Sequence, residues 1–237
     1  MYYKNNCHNH CQNQINTYNV NTRFIAPNPP CSFNPNSVYP TIDSTAYIGT
    51  FSSIIGDVTI QRNVFIASNV SIRADEGSPF YIGSDTNIQD GVILHGLANS
   101  RVKNNNKEYS IYIGKHVSCA HGCIIHGPCM IGNNVFVGFN AIVFNAIIGD
   151  DCYISTNALV TDGVIIGTNR FIPYGAIIDT QEKADRLSPV PKEKSEFAQE
   201  VLHVNAEFPC AYSLMFGSMK CKCGIACNSK TIYNILG

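Results

Sequence analysis

The sequence predicts an all-β solenoid, on three observations. An aliphatic residue returns at every sixth position through Ile48, Ile54, Ile60, Ile66 and Ile72. The position four further on carries small or branched side chains, as at Ser52, Val58, Val64 and Val70. Glycine often follows the aliphatic residue, as in Ile82-Gly83, Ile113-Gly114, Ile131-Gly132 and Ile148-Gly149. A period of six fits neither the 3.6 of an amphipathic helix nor the alternation of a hairpin strand. It fits a short strand and a turn repeated three times per coil of roughly eighteen residues, with coils stacked about 4.8 Å apart as a triangular prism.

Residues 1–36 are rich in asparagine and lack the period, so they read as an extended N-terminal arm. Residues 37–180 form the solenoid. After an offset the period resumes at Ile82, Ile88 and Leu94, and then runs from Ile113 through Cys119, Ile125, Ile131, Val137 and Val143. It continues through Ile148, Ile154 and Val160, and ends with Ile166, Ile172 and Ile178. The interruption between Leu97 and Ser110 reads as a loop protruding from the prism. Residues 181–208 form a helical segment, because Phe197, Val201, Val204 and Phe208 recur at helical spacing between Pro191 and Pro209. Residues 209–237 read as an irregular, cysteine-rich tail.

A 45% apolar content is enough for a sizeable core. A net charge of −1, with only 14% charged residues, lacks the basic surplus that a phosphate backbone requires, and this excludes nucleic acid as a partner. No apolar run approaches the roughly 20 residues of a membrane span, and the N-terminus shows no apolar leader. The expectation is therefore synthesis in the cytoplasm without a signal peptide or membrane association.

The 11 cysteines fall into two groups. Cys119, Cys123, Cys129 and Cys152 occupy inward positions of the period and read as small buried hydrophobes. Cys7, Cys11, Cys31, Cys210, Cys221, Cys223 and Cys227 lie near the termini. Cys7-His8-Asn9-His10-Cys11 suits a short metal clip, disulfides to the tail cysteines, or idle thiols, and the spacing leaves all three open. Cross-linking would staple oligomers into a filament or layer, deposited at an oxidising surface or in a spore coat.

Three histidines follow from the period. If Leu94 and Ile125 stack on adjacent coils, the residues after them, His95 and His126, project from equivalent sites near 5 Å apart, a spacing at which two imidazoles share one metal. His121, two positions after Cys119, falls on another side of the prism and reaches that pair only from a second copy in a threefold assembly. Three imidazoles with open positions suit a catalytic zinc or similar ion. The plain alternative is a set of unrelated surface histidines.

The stretches Ser71-Ile72-Arg73-Ala74-Asp75-Glu76-Gly77, Asn87-Ile88-Gln89-Asp90-Gly91-Val92-Ile93-Leu94-His95, Lys107-Glu108-Tyr109-Ser110-Ile111-Tyr112-Ile113-Gly114, Ala120-His121 and His126-Gly127-Pro128 resemble the gamma-class carbonic anhydrases, nearest their archaeal prototype. The likeness runs from about Ile42 to Asn205. It implies a left-handed parallel β-helix, a homotrimer, and one Zn2+ (or Fe2+ or Co2+) per subunit interface held by His95, His121 and His126. It further implies reversible hydration of carbon dioxide to bicarbonate. Glu76 and Gln89 match residues that hydrogen-bond the reacting oxygen and help move its proton. Asn87 would orient Gln89, Asn205 would lie near the substrate, and Arg73, Asp75 and Asp90 match an intersubunit ion-pair set.

Two departures bear on turnover. Ala98 stands where the prototype carries a glutamate proton shuttle, on a shortened loop that is basic and rich in amides. His203 stands where it has a tyrosine, and is a candidate substitute shuttle. Two other function classes compete: a structural building block in a disulfide-linked assembly with a weakened or inherited site, and a hexapeptide acyltransferase, which shares the fold but relies on one catalytic histidine and a cofactor cleft.

Overall fold

The computed structural model describes residues 22–216. Cys7, Cys11, Cys221, Cys223 and Cys227 lie outside the described residues.

The six-residue period is realised as a parallel solenoid with three faces. Face one is a seven-stranded sheet of β3 (Tyr47–Ile48), β6 (Phe65–Ile66), β9 (Asn87–Ile88), β14 (Ser118–Cys119), β16 (Phe136–Val137), β18 (Tyr153–Ile154) and β21 (Phe171–Ile172). Face two carries β1 (Phe24–Ala26), β4 (Ser53–Gly56), β7 (Ser71–Ala74), β10 (Ile93–Gly96), β19 (Leu159–Val160) and β22 (Ile177–Ile178). Face three carries β2 (Thr41–Ile42), β5 (Val58–Ile60), β8 (Phe80–Ile82), β13 (Ile111–Ile113) and β20 (Ile165–Ile166). The longer β15 (Ile124–Ile131) and β17 (Ile142–Ile148) turn the corner and serve both faces two and three.

The core follows the two inward positions of the repeat. Ile54, Ile60, Ile66, Ile72, Ile88, Leu94 and Ile125 are fully or almost fully buried, and so are the small partners Ser52, Val58, Val64 and Val70. Cys119, Cys123 and Cys129 have no exposed surface and Cys152 almost none, in keeping with their reading as small apolar residues. Burial pushes the Cys129 thiol up to about 12 and that of Cys152 up to about 11. Such groups are poor nucleophiles at neutral pH.

Turns between faces need a left-handed residue, and short polar side chains tolerate that conformation. Asn63, Asn134, Asp151 and Asn169 meet the need with φ of 53°, 56°, 59° and 55°. The stretch expected as a protruding loop is an antiparallel hairpin, β11 (Val102–Asn104) with β12 (Lys107–Tyr109).

Two elements cross the expected boundaries, β1 and the long C-terminal helix. Strand β1 lies inside the segment read as an arm and pairs in register with β4, Phe24 beside Ser53 and Ile25 beside Ile54. Its Phe-Ile-Ala run is too short to show a six-residue period, so only the pairing reveals it. A short helix α1 (Gln181–Asp185) caps the last coil, the Gln181 amide bonding both the N–H and the carbonyl of Ile165. The long helix α2 (Lys192–Phe216) passes the expected stop at Pro209. Proline inside a helix costs about 3 kcal/mol. Aromatic packing on face one offsets it: Phe208 lies 5.1 Å from Phe65, and Tyr212 lies 5.2 Å from Tyr47 and 5.4 Å from Phe65.

Helix α2 covers face one. Face two is bare by comparison, and its outward column leaves Ile93, Ile142 and Ile177 exposed. No described helix is long and apolar enough to cross a membrane.

Candidate metal centre

Strand register builds the site. Pairing of β7, β10 and β15 aligns Arg73, His95 and His126 in one outward column, and Phe144 follows on β17. His95 Nδ1 lies 3.3 Å from His126 Nε2. The His126 ring stands edge-on to Phe144, with centroids 5.2 Å apart.

The hydrogen bonds assign the protons. His126 Nδ1 lies 3.1 Å from the Gly127 carbonyl, which can only accept, so Nδ1 carries hydrogen and Nε2 keeps a lone pair. With the rings so placed, His95 Nδ1 donates to that lone pair, which leaves His95 Nε2 an acceptor; a metal on His126 Nε2 would displace this hydrogen bond. It faces Asp75 Oδ1 at 3.4 Å and Glu76 Oε2 at 3.7 Å. Both His95 Nε2 and Asp75 Oδ1 are buried without a hydrogen-bond partner. Two buried acceptors facing each other would be satisfied by a proton or by a metal cation between them. The chemistry of this donor set fits a divalent metal, with His126 held from behind by a backbone carbonyl as metal-binding imidazoles usually are.

Close backbone approach keeps the column in place. A Cβ added at Gly127 would fall 2.3 Å from the Ser110 carbonyl oxygen, and one at Gly96 only 2.1 Å from Ser110 Oγ. At Gly127 the opposing atom is backbone and cannot give way, whereas at Gly96 the Ser110 hydroxyl would have to turn aside.

His121 does not join them. It sits on the corner after β14, and its Nδ1 lies 3.2 Å from Asp90 Oδ2. Among the described residues of one chain, no group of three or more His, Cys, Asp and Glu side chains is arranged to hold a metal.

Other expected site residues are distributed as follows. Gln89 donates to Asn87 Oδ1 at 3.0 Å, and Asn87 donates to Ser118 Oγ at 2.8 Å, so a buried chain of hydrogen bonds holds the Gln89 amide. Glu76 Oε1 accepts from the Ala98 N–H at 3.2 Å, which ties it to the shortened loop. Arg73 and Asp75, expected in an intersubunit set, bond each other within the chain at 2.9 Å, Asp75 lying just past the end of β7. Within the chain, Asp90, expected in the same set, pairs with His121.

Between face one and α2 lies a cleft of about 450 Å³, within the usual range for a small-molecule site. Gln89, Asp90, His121 and Asn205 line it with apolar walls that include Phe136, Phe139 and Phe197. Asn205 Nδ2 is bonded to the Val201 carbonyl at 2.9 Å. Glu200 also lines the cleft, while His203 does not and is exposed. Sequence reasoning missed Glu200, although the helical spacing of Phe197, Val201, Val204 and Phe208 puts it on their face.

Comparison with known proteins points to a family. The chain is 41% identical over 140 residues to the carbonic anhydrase of Methanosarcina thermophila, covering 55% of this chain and 57% of that protein. The chain belongs to the hexapeptide-repeat family of the gamma-class carbonic anhydrases. The carboxysome assembly protein CcmM of Nostoc sp. is 44% identical over 194 residues, 81% of this chain and 35% of that protein. Gamma-class relatives thus carry different assigned roles, and the chain spans only about a third to just over half of their lengths. A solved hexapeptide transferase family protein from Anaplasma phagocytophilum superposes with a TM-score of 0.60 at 28% identity, covering 74% of this chain and 93% of that one. No family model matches the chain.

Proposed function

We propose that this gamma-class chain catalyses the metal-dependent, reversible hydration of carbon dioxide to bicarbonate, at sites completed between the subunits of a homotrimer. The observation that carries the reading is the register pair His95 and His126, with His95 Nε2 buried without a hydrogen-bond partner beside Asp75 Oδ1, on the face that α2 leaves bare. Its exposed ladder of Ile93, Ile142 and Ile177 supplies an apolar contact surface for a second copy. His121, on the neighbouring corner, is the third imidazole, donated across that contact.

A divalent metal (Zn2+, Fe2+ or Co2+) bound there lowers the pKa of a coordinated water to about 7 and so makes a nucleophile for carbon dioxide available at neutral pH. The protein's own residues do the rest. The Asn87–Gln89 chain fixes an amide at the mouth of the cleft, where it orients the reacting oxygen. Apolar walls suit an uncharged substrate, and the carboxylates of Asp90 and Glu200 disfavour retention of the bicarbonate anion. Glu76, held by the Ala98 N–H beside His95, takes up the proton. Ala98 cannot pass it on. Of the two exposed carboxylates of the cleft, Asp90 is paired with His121 while Glu200 makes no ion pair among the described residues, and we assign Glu200 the transfer to buffer.

The test is metal content together with stopped-flow hydration. Three metal ions per trimer and hydration by wild type, with both lost in His121→Ala, are expected. A metal-loaded wild type that does not hydrate carbon dioxide would sink the enzymatic reading. That outcome favours the second reading, an assembly component that retains the site, which the likeness to a carboxysome assembly protein supports. Ladders on non-reducing gels that collapse with reductant would add disulfide cross-linking to it.

A further inference from the structure

His121 occupies an unfavourable place for a metal ligand. It is on a turn, and its side chain is 56% exposed, so an unsupported imidazole there would turn freely and offer either ring nitrogen. The stacking of coils removes both freedoms. The Gly122 N–H bonds the Asp90 carbonyl at 3.0 Å, and the Asn140 N–H bonds the His121 carbonyl at 3.1 Å. These two bonds align Asp90, His121 and Phe139 as equivalent turn residues on three successive coils.

From the coil before, Asp90 Oδ2 reaches His121 Nδ1 at 3.2 Å. From the coil after, the Phe139 ring lies parallel to the imidazole, with an interplanar angle of 7° and centroids 5.7 Å apart. Asp90 thus fixes the hydrogen on Nδ1 and Phe139 fixes the ring plane. The only nitrogen left with a lone pair is Nε2.

We propose that Asp90 and Phe139 are positioning residues, a clamp that presets His121 before any metal arrives so that its Nε2 alone is offered to the ion held by a second copy's His95 and His126. The inference rests on the metal-site reading above and gives Asp90 a role inside the chain in place of the intersubunit ion pair its motif suggests. It also completes a pattern. His126 is set by the Gly127 carbonyl, and His121 is set by a carboxylate and a ring from adjacent coils.

The first measurement needs no variant. 15N spectra of histidine in the metal-free protein should show His121 protonated at Nδ1 and not at Nε2, and the opposite tautomer would overturn the clamp. The second is affinity for Zn2+ by chelator competition. Asp90→Ala should weaken binding 10- to 100-fold, with Asp90→Asn between it and wild type. Phe139→Ala should weaken it several-fold and Phe139→Tyr, which keeps the ring, should restore it. Melting of the metal-free protein should hardly move in Asp90→Asn and Phe139→Tyr. His121→Ala sets the scale. If it binds Zn2+ like wild type, the underlying site is wrong; if it binds weakly while both Asp90 variants bind normally, the clamp alone is wrong. Loss of the trimer in Asp90→Asn, with normal affinity in the trimer that remains, would return Asp90 to the intersubunit pair.

Discussion

His95 and His126 stand at the same register position of adjacent strands, with Nδ1 of one 3.3 Å from Nε2 of the other. No residue of the same chain completes a metal site with them among the described residues. Each of two variants should therefore be repaired by the other. His121→Ala and His126→Ala proteins, each unable to bind metal, should regain it when unfolded and refolded together. Random mixing into threefold assemblies leaves about a quarter of the interfaces intact. Metal analysis of the mixed trimer checks this, and no recovery at all would place the three histidines within one subunit or in separate sites.

Gly127→Ala should destabilise the protein by about 1–3 kcal/mol, the range for overpacking a close-packed site, because the new methyl would fall 2.3 Å from the Ser110 carbonyl oxygen. Thermal melting of the metal-free protein measures the cost. Metal affinity should fall as well, since the Gly127 carbonyl sets the His126 tautomer.

Alkaline pH should weaken the core. Burial, the largest cause, pushes the Cys129 thiol up from the ordinary thiol value of 9.0 to about 12 in the folded protein. Its folded pKa is raised, so its contribution is fully present below about pH 9 and is lost as pH rises toward about 12. The loss approaches 1.4 kcal/mol per pH unit within that window. Denaturant melts of wild type and Cys129→Ala between pH 8 and about 11 should show the shallower slope in the variant.

Glu200→Gln should lower the maximal hydration rate about tenfold or more in weak buffer, with kcat/KM little changed and the loss recovered in concentrated imidazole. His203→Gln should have no such effect, because His203 lies outside the cleft. Equal effects of the two variants would remove the proton-carrier role from Glu200.

Sequence by itself determined the solenoid, its inward residues and the alignment of His95 with His126, because a six-residue repeat maps each residue to one face and one coil through local geometry alone. It also separated the core cysteines from those in the arms. Tertiary structure decided what depends on contact between distant segments. Strand β1 is revealed only by pairing with β4, and α2 continues through Pro209 because Phe208 and Tyr212 find aromatic partners on face one. Asp90 turns to His121, Arg73 to Asp75, and Glu200 enters the cleft while His203 stays out. These choices rest on side-chain directions at turns and on helix docking, which repeat spacing does not encode.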